Sequence, residues 1–234
     1  MGGRGYGGAV HEGENALKAT AAKVEGDQLL AVKTYGWRTP LRVFILYANP
    51  VAVSFGAALH RQVVTTLASR GHEIDDCDLY AECFDPVMSE QDRIHYHDIE
   101  RNRATIAAYA DRLLAAEALI LIYPVWNEGF PAILKGFLDR VFIPGVSFIV
   151  GPDGALVPNL QKLRKLAAVC TYGATRSVSF LLGDPPKRVV KRLVRSMLCH
   201  AVRCDYLAHY DMDHSGPEQR AAFLEKVRRT FESW

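Results

Sequence analysis

The chain has 234 residues, 49% of them apolar and 23% charged, which suits a single domain with one sizeable core. Its net charge of +2 leaves no basic excess for a nucleic-acid partner. No apolar run reaches the roughly 18 residues needed for a membrane-spanning helix, so membrane insertion is not expected.

Residues 1 to 40 begin Gly-rich and polar ("MGGRGYGGAVHEGENALK") without the apolar stretch of a signal peptide, and end in "GWRTP". They are expected to form a flexible N-terminal extension ahead of a domain over 41 to 234. "RVFILYA" (42 to 48) is a continuous apolar run, as in a strand buried on both faces, and "SFGAALHRQVVTTLASR" (54 to 70) has helical spacing and stops at Gly71. "HEIDDCDLY" (72 to 80) predicts a strand nearer the sheet edge. After an irregular polar stretch come a helix over 101 to 117, the most apolar strand over 118 to 124 ("ALILIYP"), and a helix over 131 to 142 with Pro131 at its start. A strand over 165 to 173, a helix over 185 to 198, a strand over 204 to 212 and a helix over 217 to 234 complete the pattern.

Five strands separated by helices predict a doubly wound α/β sandwich with a five-stranded parallel sheet and helices on both faces. Ligands of such sheets bind beyond the carboxyl ends of the strands, where the strand order reverses. Three loops are therefore candidates: Asn49 to Ser54, Pro124 to Phe130, and Thr171 to Arg176. In the first, Ser54 stands where a helix cap belongs, followed by small residues; it fits either a plain cap or an anion site at the helix N-terminus, with Asn49 as a second donor. In the second, Trp126 and Phe130 either offer flat apolar surface to a planar ligand or pack inward, and backbone N–H groups around Asn127 to Gly129 could meet ring heteroatoms. GxGxxG and Walker loops are absent, and so is the GxSxG of serine hydrolases.

The segment "PVWNEGFPAILKGFLDRVFIPGVSF" resembles the signature of the flavodoxin-like NAD(P)H:quinone oxidoreductases, as do "ANPVAVSF" and "GHEIDDCDLYAECFDPVMS", in the same order. The resemblance implies a flavodoxin-like fold and a flavin, FAD or FMN with FAD slightly favoured. It implies hydride transfer from NAD(P)H through the flavin to a quinone in ping-pong order, and a homodimer. By position it places the flavin phosphate on Asn49, Val53, Ser54, Phe55 and Gly56. The ring falls on Pro124, Val125, Trp126, Asn127 and Glu128, and on the loop Cys170, Thr171, Tyr172 and Gly173. Asn49 stands in place of the family's usual histidine, and Asn127 and Glu128 in place of aromatic residues. The family's proton-relaying Tyr and His have no counterpart in "ATRSVSFLLGDPP", so no catalytic side chain is assigned; the nearest candidates are Trp126, Asn127, Glu128 and Tyr172. An accessory flavoprotein regulating a membrane transporter, and a flavodoxin-like electron carrier, are the alternatives.

Five cysteines (Cys77, Cys83, Cys170, Cys199, Cys204) form no CxxC pair, so reduced thiols and a cytoplasmic location are expected. The histidines, including "HYH" at 95 to 97, lack a metal-binding spacing, and no metal is expected. The basic run "KRVVKRLVRS" (187 to 196) fits a solvated helix face, or attraction for the phosphates of NADPH. Lys135 and Arg140 are expected in salt bridges, Asp111 and Glu117 on the helix surface.

Overall fold

The computed structural model describes residues 39–198 and 202–234. The expected extension lies outside them except for its last two residues, and so does Cys199. In chain order the elements are β1 (Arg42–Tyr47), α1 (Phe55–Ser69), β2 (Glu73–Asp78), α2 (Glu90–Ile94), α3 (Ile99–Ala104), α4 (Ala107–Ala115), β3 (Ala118–Val125), α5 (Ala132–Val141), β4 (Phe148–Val150), β5 (Leu156–Pro158), β6 (Lys165–Tyr172), α6 (Arg176–Leu181), α7 (Pro185–Arg188), a π-helix (Val189–Val194), β7 (Cys204–His209), a 3₁₀ turn (Met212–His214) and α8 (Pro217–Glu232).

Five strands form one parallel sheet in the order β2-β1-β3-β6-β7. The chain moves outward from β1 to β2, then returns to place β3 on the other side of β1, so the order reverses between β1 and β3. The central strands β1, β3 and β6 are buried along almost their whole length, which is why their sequences are continuously apolar. β2 lies at an edge and carries Asp75, Asp76 and Asp78 on a half-open strand.

Alternate residues of each strand face opposite layers. One layer packs Ile45, Ile120 and Val169 against Leu59 and Val63 of α1 and Phe223, Val227 and Phe231 of α8. The other packs Phe44, Leu121 and Ala168 against Leu113 of α4, Phe137 of α5, and Val190 and Val194 of the π-helix.

Several segments depart from the sequence expectation. The helix expected over 101 to 117 is two, because Ile106 leaves helical geometry (φ −124°, ψ 14°) as its side chain enters the core. The one expected over 185 to 198 is α7 followed by the wider π-helix, whose Val190 and Val194 reach the core four residues apart. β7 ends at His209, and Asp211 then turns left-handed (φ 58°). The irregular stretch before residue 101 holds α2, capped by Ser89, and the span between α5 and β6 holds an antiparallel β4–β5 hairpin.

Candidate functional site

The three candidate loops leave neighbouring strands at one end of the sheet, beyond their carboxyl termini. Tyr47 pairs with Ile122 across β1 and β3, and the N–H of Ala48 donates to the Ile122 carbonyl at 2.9 Å. Pro124 and Val125 pair with Thr171 and Tyr172 across β3 and β6. The loops therefore converge beside the reversal of strand order, where a doubly wound sheet binds its ligand.

The first loop is pinned internally. Ser54 has extended backbone and caps α1: its Oγ accepts from the N–H of Ala57 at 3.1 Å, while its own hydroxyl donates to the Val51 carbonyl at 2.8 Å. Asn49 Nδ2 donates to Ser54 Oγ at 3.3 Å, and its Oδ1 accepts from the N–H of Val51 at 3.0 Å. A Cβ built on Gly56 would collide with Asn49 Nδ2, so only glycine lets that amide lie across the helix start. The first-turn N–H groups of Phe55 and Gly56 have no acceptor within the helix, and the positive end of a four-turn helix stands behind them. The Phe55 ring points away, edge-on to His209 at 5.5 Å, and Val53 is 93% exposed. Beneath the loop, the hydroxyl of Tyr47 is buried beside Ser54, and burial raises its pKa, keeping it a neutral donor.

At the end of β3, Trp126 and Gly129 exchange backbone hydrogen bonds of 3.1 and 2.9 Å around a two-residue turn. Its corner residues, Asn127 and Glu128, have φ of 49° and 53°, the geometry of a type I′ turn. Trp126 is 44% exposed. Phe130 packs inward instead, edge-on to Tyr123 at 5.0 Å. Pro124 is half-buried and Val125 buried. Glu128 Oε1 accepts from Ser179 Oγ–H of α6 at 3.1 Å.

In the third loop, Thr171 is half-buried and Gly173 exposed, while Cys170 and Tyr172 are fully buried. This corrects the expectation that the Tyr172 side chain contacts a ligand. Strand alternation turns it into the α5-side layer, where its hydroxyl donates to Asp184 Oδ1 at 2.7 Å and lies 2.6 Å from the Tyr206 hydroxyl. Tyr210 also donates to Asp184, at 3.2 Å, and Lys187 Nζ lies 3.3 Å from the same carboxylate. Burial raises the pKa of Tyr172, Tyr206 and Tyr210, and pushes the Cys170 thiol up to about 12, so the cluster is held by neutral tyrosines around one carboxylate. Ser179 and Asp184 thus tie the segment around α6 to the strand ends. Neither carried a sequence signal beyond the Pro-Pro pair that marks the start of α7.

Elsewhere, Lys135 pairs with Asp139 at 2.6 Å, and Arg140 with Asp85 and Asp92 at 3.5 and 3.3 Å, as expected of them. Asp111 pairs with Arg103 on the surface. Glu117 lies beyond α4 and accepts from the N–H of Arg42 at 3.0 Å, locking the start of β1. Among the described residues no three His, Cys, Asp or Glu side chains cluster as a metal site requires, and no helix is long and apolar enough to cross a membrane. A hollow of about 620 Å³ lined by Arg42, Glu117, Lys162 and Arg164 lies where the strands begin, at the opposite end from the loops.

A family described as having the flavodoxin-like fold matches residues 41–234. The NAD(P)H dehydrogenase [quinone] 1 of Cavia porcellus is 30% identical over 213 residues, covering 82% of this chain and 76% of that protein. The chain belongs to the flavodoxin-like NAD(P)H:quinone oxidoreductase family. A second relative in this family, the FMN-dependent NADH:quinone oxidoreductase 2 of Listeria monocytogenes, is 28% identical over 100 residues, 42% of this chain and 47% of its own length. Against two other bacterial relatives, the chain spans 64% and 59% of their length. A crystal structure from Streptococcus mutans UA159 superposes with a TM-score of 0.74 at 28% identity, covering 82% of this chain and all of that one. Its coverage matches the Cavia relative's, so sequence and fold similarity extend over the same share of the chain.

Proposed function

We propose that this member of the family is a flavin-dependent NAD(P)H oxidoreductase whose acceptor is a quinone or a similar planar electron acceptor. One observation carries the reading: the capped N-terminus of α1 and the hairpin bearing exposed Trp126 leave adjacent strands, β1 and β3, at the reversal of strand order. The residues fit a flavin. Gly56 leaves no room for a Cβ under Asn49, the first-turn N–H groups of α1 suit a phosphate, and the buried Glu128 Oε2 has no partner.

In this reading Asn49, Val53, Ser54, Phe55 and Gly56 hold the phosphate, mainly through backbone N–H groups, because the Ser54 hydroxyl already donates to Val51. Pro124 to Glu128, Thr171, Gly173 and the Tyr172 backbone hold the ring. A bound flavin supplies the hydride chemistry, taking hydride from NAD(P)H and giving it to the acceptor. The chain's own part is to orient both partners on one exposed ring face, so that donor and acceptor occupy the same place in turn. FMN is the flavin in the name of the Listeria relative, which favours FMN over the FAD suggested by resemblance.

The test is to purify the full chain, release any bound flavin by heat, and identify it by chromatography. NADH and NADPH oxidation are then followed with a benzoquinone acceptor. Flavin release, quinone-dependent turnover and parallel double-reciprocal plots are expected. Protein that takes up neither FMN nor FAD would overturn the reading.

A further inference from the structure

The turn at the tip of β3 holds a side chain that conformational preference opposes. Glycine or asparagine suits a left-handed corner; glutamate there is strained, and Glu128 has a φ of 53°. Its carboxylate is nevertheless fixed, with Oε1 accepting from Ser179 Oγ–H at 3.1 Å, a fully buried hydroxyl. The second oxygen, Oε2, is buried without a hydrogen-bond partner. No Lys, Arg or His nitrogen stands within ion-pair distance of Glu128 among the described residues. A desolvated carboxylate oxygen that lacks a donor calls for one. It would repel a phosphate or a carbonyl, whereas an N–H at the edge of a heterocyclic ring satisfies it.

We propose that Glu128 sets the reduction potential of the bound flavin, its free carboxylate oxygen accepting from a ring N–H while its charge opposes electron uptake by the ring. This rests on the flavin reading above. Where water is excluded, a fixed negative charge beside a ring that gains negative charge on reduction favours the oxidised form. Glu128 therefore keeps the flavin strongly reducing, which suits delivery of electrons to an acceptor.

The experiment is a dithionite titration of the FMN-loaded full chain against a reference dye, for the parent, Glu128→Gln and Glu128→Gly. Gln keeps the acceptor and removes the charge; Gly removes the charge and relieves the strained corner. Both variants should bind reduced FMN about tenfold more tightly relative to oxidised FMN, an upward shift of about 30 mV for a two-electron couple. In Glu128→Gly, relief of the corner is opposed by loss of the acceptor for the buried Ser179 hydroxyl, so its Tm should move by less than either effect alone. A structural role alone would alter Tm and affinity for oxidised FMN while leaving the potential in place, and that result would overturn the proposal. So would a shift in the Gly variant alone, which would assign the effect to the backbone. Loss of FMN and FAD binding by the parent chain would overturn the flavin reading first and this inference with it.

Discussion

At Ser54 one hydroxyl closes three contacts, accepting from the N–H of Ala57 and from Asn49 Nδ2 and donating to the Val51 carbonyl. Ser54→Ala removes the cap and should cost about 1 kcal/mol, a Tm fall of about 2 to 4 °C in a domain of this size. Ser54→Asp keeps the cap but loses the donor to the Val51 carbonyl, so its Tm should fall by no more than that of Ser54→Ala. A carboxylate beside the first-turn N–H groups repels a phosphate, however, so FMN affinity should fall more than tenfold in a fluorescence titration. Parental affinity in the aspartate variant would move the phosphate site to another loop. His209 is also legible at this scale. Burial, and secondarily Arg220, lower its pKa, and its Nε2 lies 2.7 Å from Ser215 Oγ. The folded state thus favours the neutral ring. His209 adds full stability above its ordinary value of 6.5 and progressively less as pH falls below it toward the folded value. Urea melts between pH 8 and pH 5 should show this loss, and His209→Gln should flatten it.

Among the elements, α5 shows why a motif residue need not be a site residue. Gly136, in the "LKGF" part of the signature, lies where a Cβ would collide with the carbonyl and ring of Pro86. The glycine is a seat for the segment that follows β2, which also brings Phe84 within 5.3 Å of the Phe137 ring. Gly136→Ala improves helix propensity by about 1 kcal/mol, yet the backbone of residue 86 cannot yield as a flexible side chain could. The net effect should be a loss of roughly 1 to 3 kcal/mol, read as a lower urea midpoint with FMN affinity per folded molecule unchanged. A stabilised variant would show that the loop is free to move.

For the whole molecule, the distribution of exposed apolar side chains bears on assembly. The apolar segment over 139 to 150, "DRVFIPGVSFIV", is mostly spent inside the protomer, since Phe142, Ile143 and Val146 are buried. The apolar surface left open lies at its end and further on, in Ile149, Val150, Leu156 and Val157 of the β4–β5 hairpin, and in Phe180 and Leu181 of α6, both more than 80% exposed. Patches of this kind mark contact surfaces, and a homodimer is expected. Sedimentation velocity should give a dimer, and Phe180→Ser with Leu181→Ser, or Ile149→Ser with Leu156→Ser, should shift it toward monomer. A parent chain that sediments as a monomer and turns over fully would reject this.

Residue order alone determined much of this protein. Continuous apolar runs in β1, β3 and β6 state that both faces are covered, helical spacing between them enforces parallel strands, and Ser54, Gly71 and Pro131 mark helix ends through local chemistry. Together these located the three loops and the end of the sheet where they meet. Tertiary structure decided what depends on distant partners. Tyr172 faces inward because alternation turns it toward Asp184 and Tyr206, which lie 12 and 34 residues away. Phe130 packs on Tyr123 while Trp126 stays exposed, though both are loop aromatics. The helix expected over 101 to 117 breaks where the core draws in Ile106, and Glu128 keeps a strained corner while Ser179, 51 residues on, holds its carboxylate. Patterns of period two and 3.6 record which face is buried; they do not record which neighbour is waiting there, because that is set by the order of strands in the sheet.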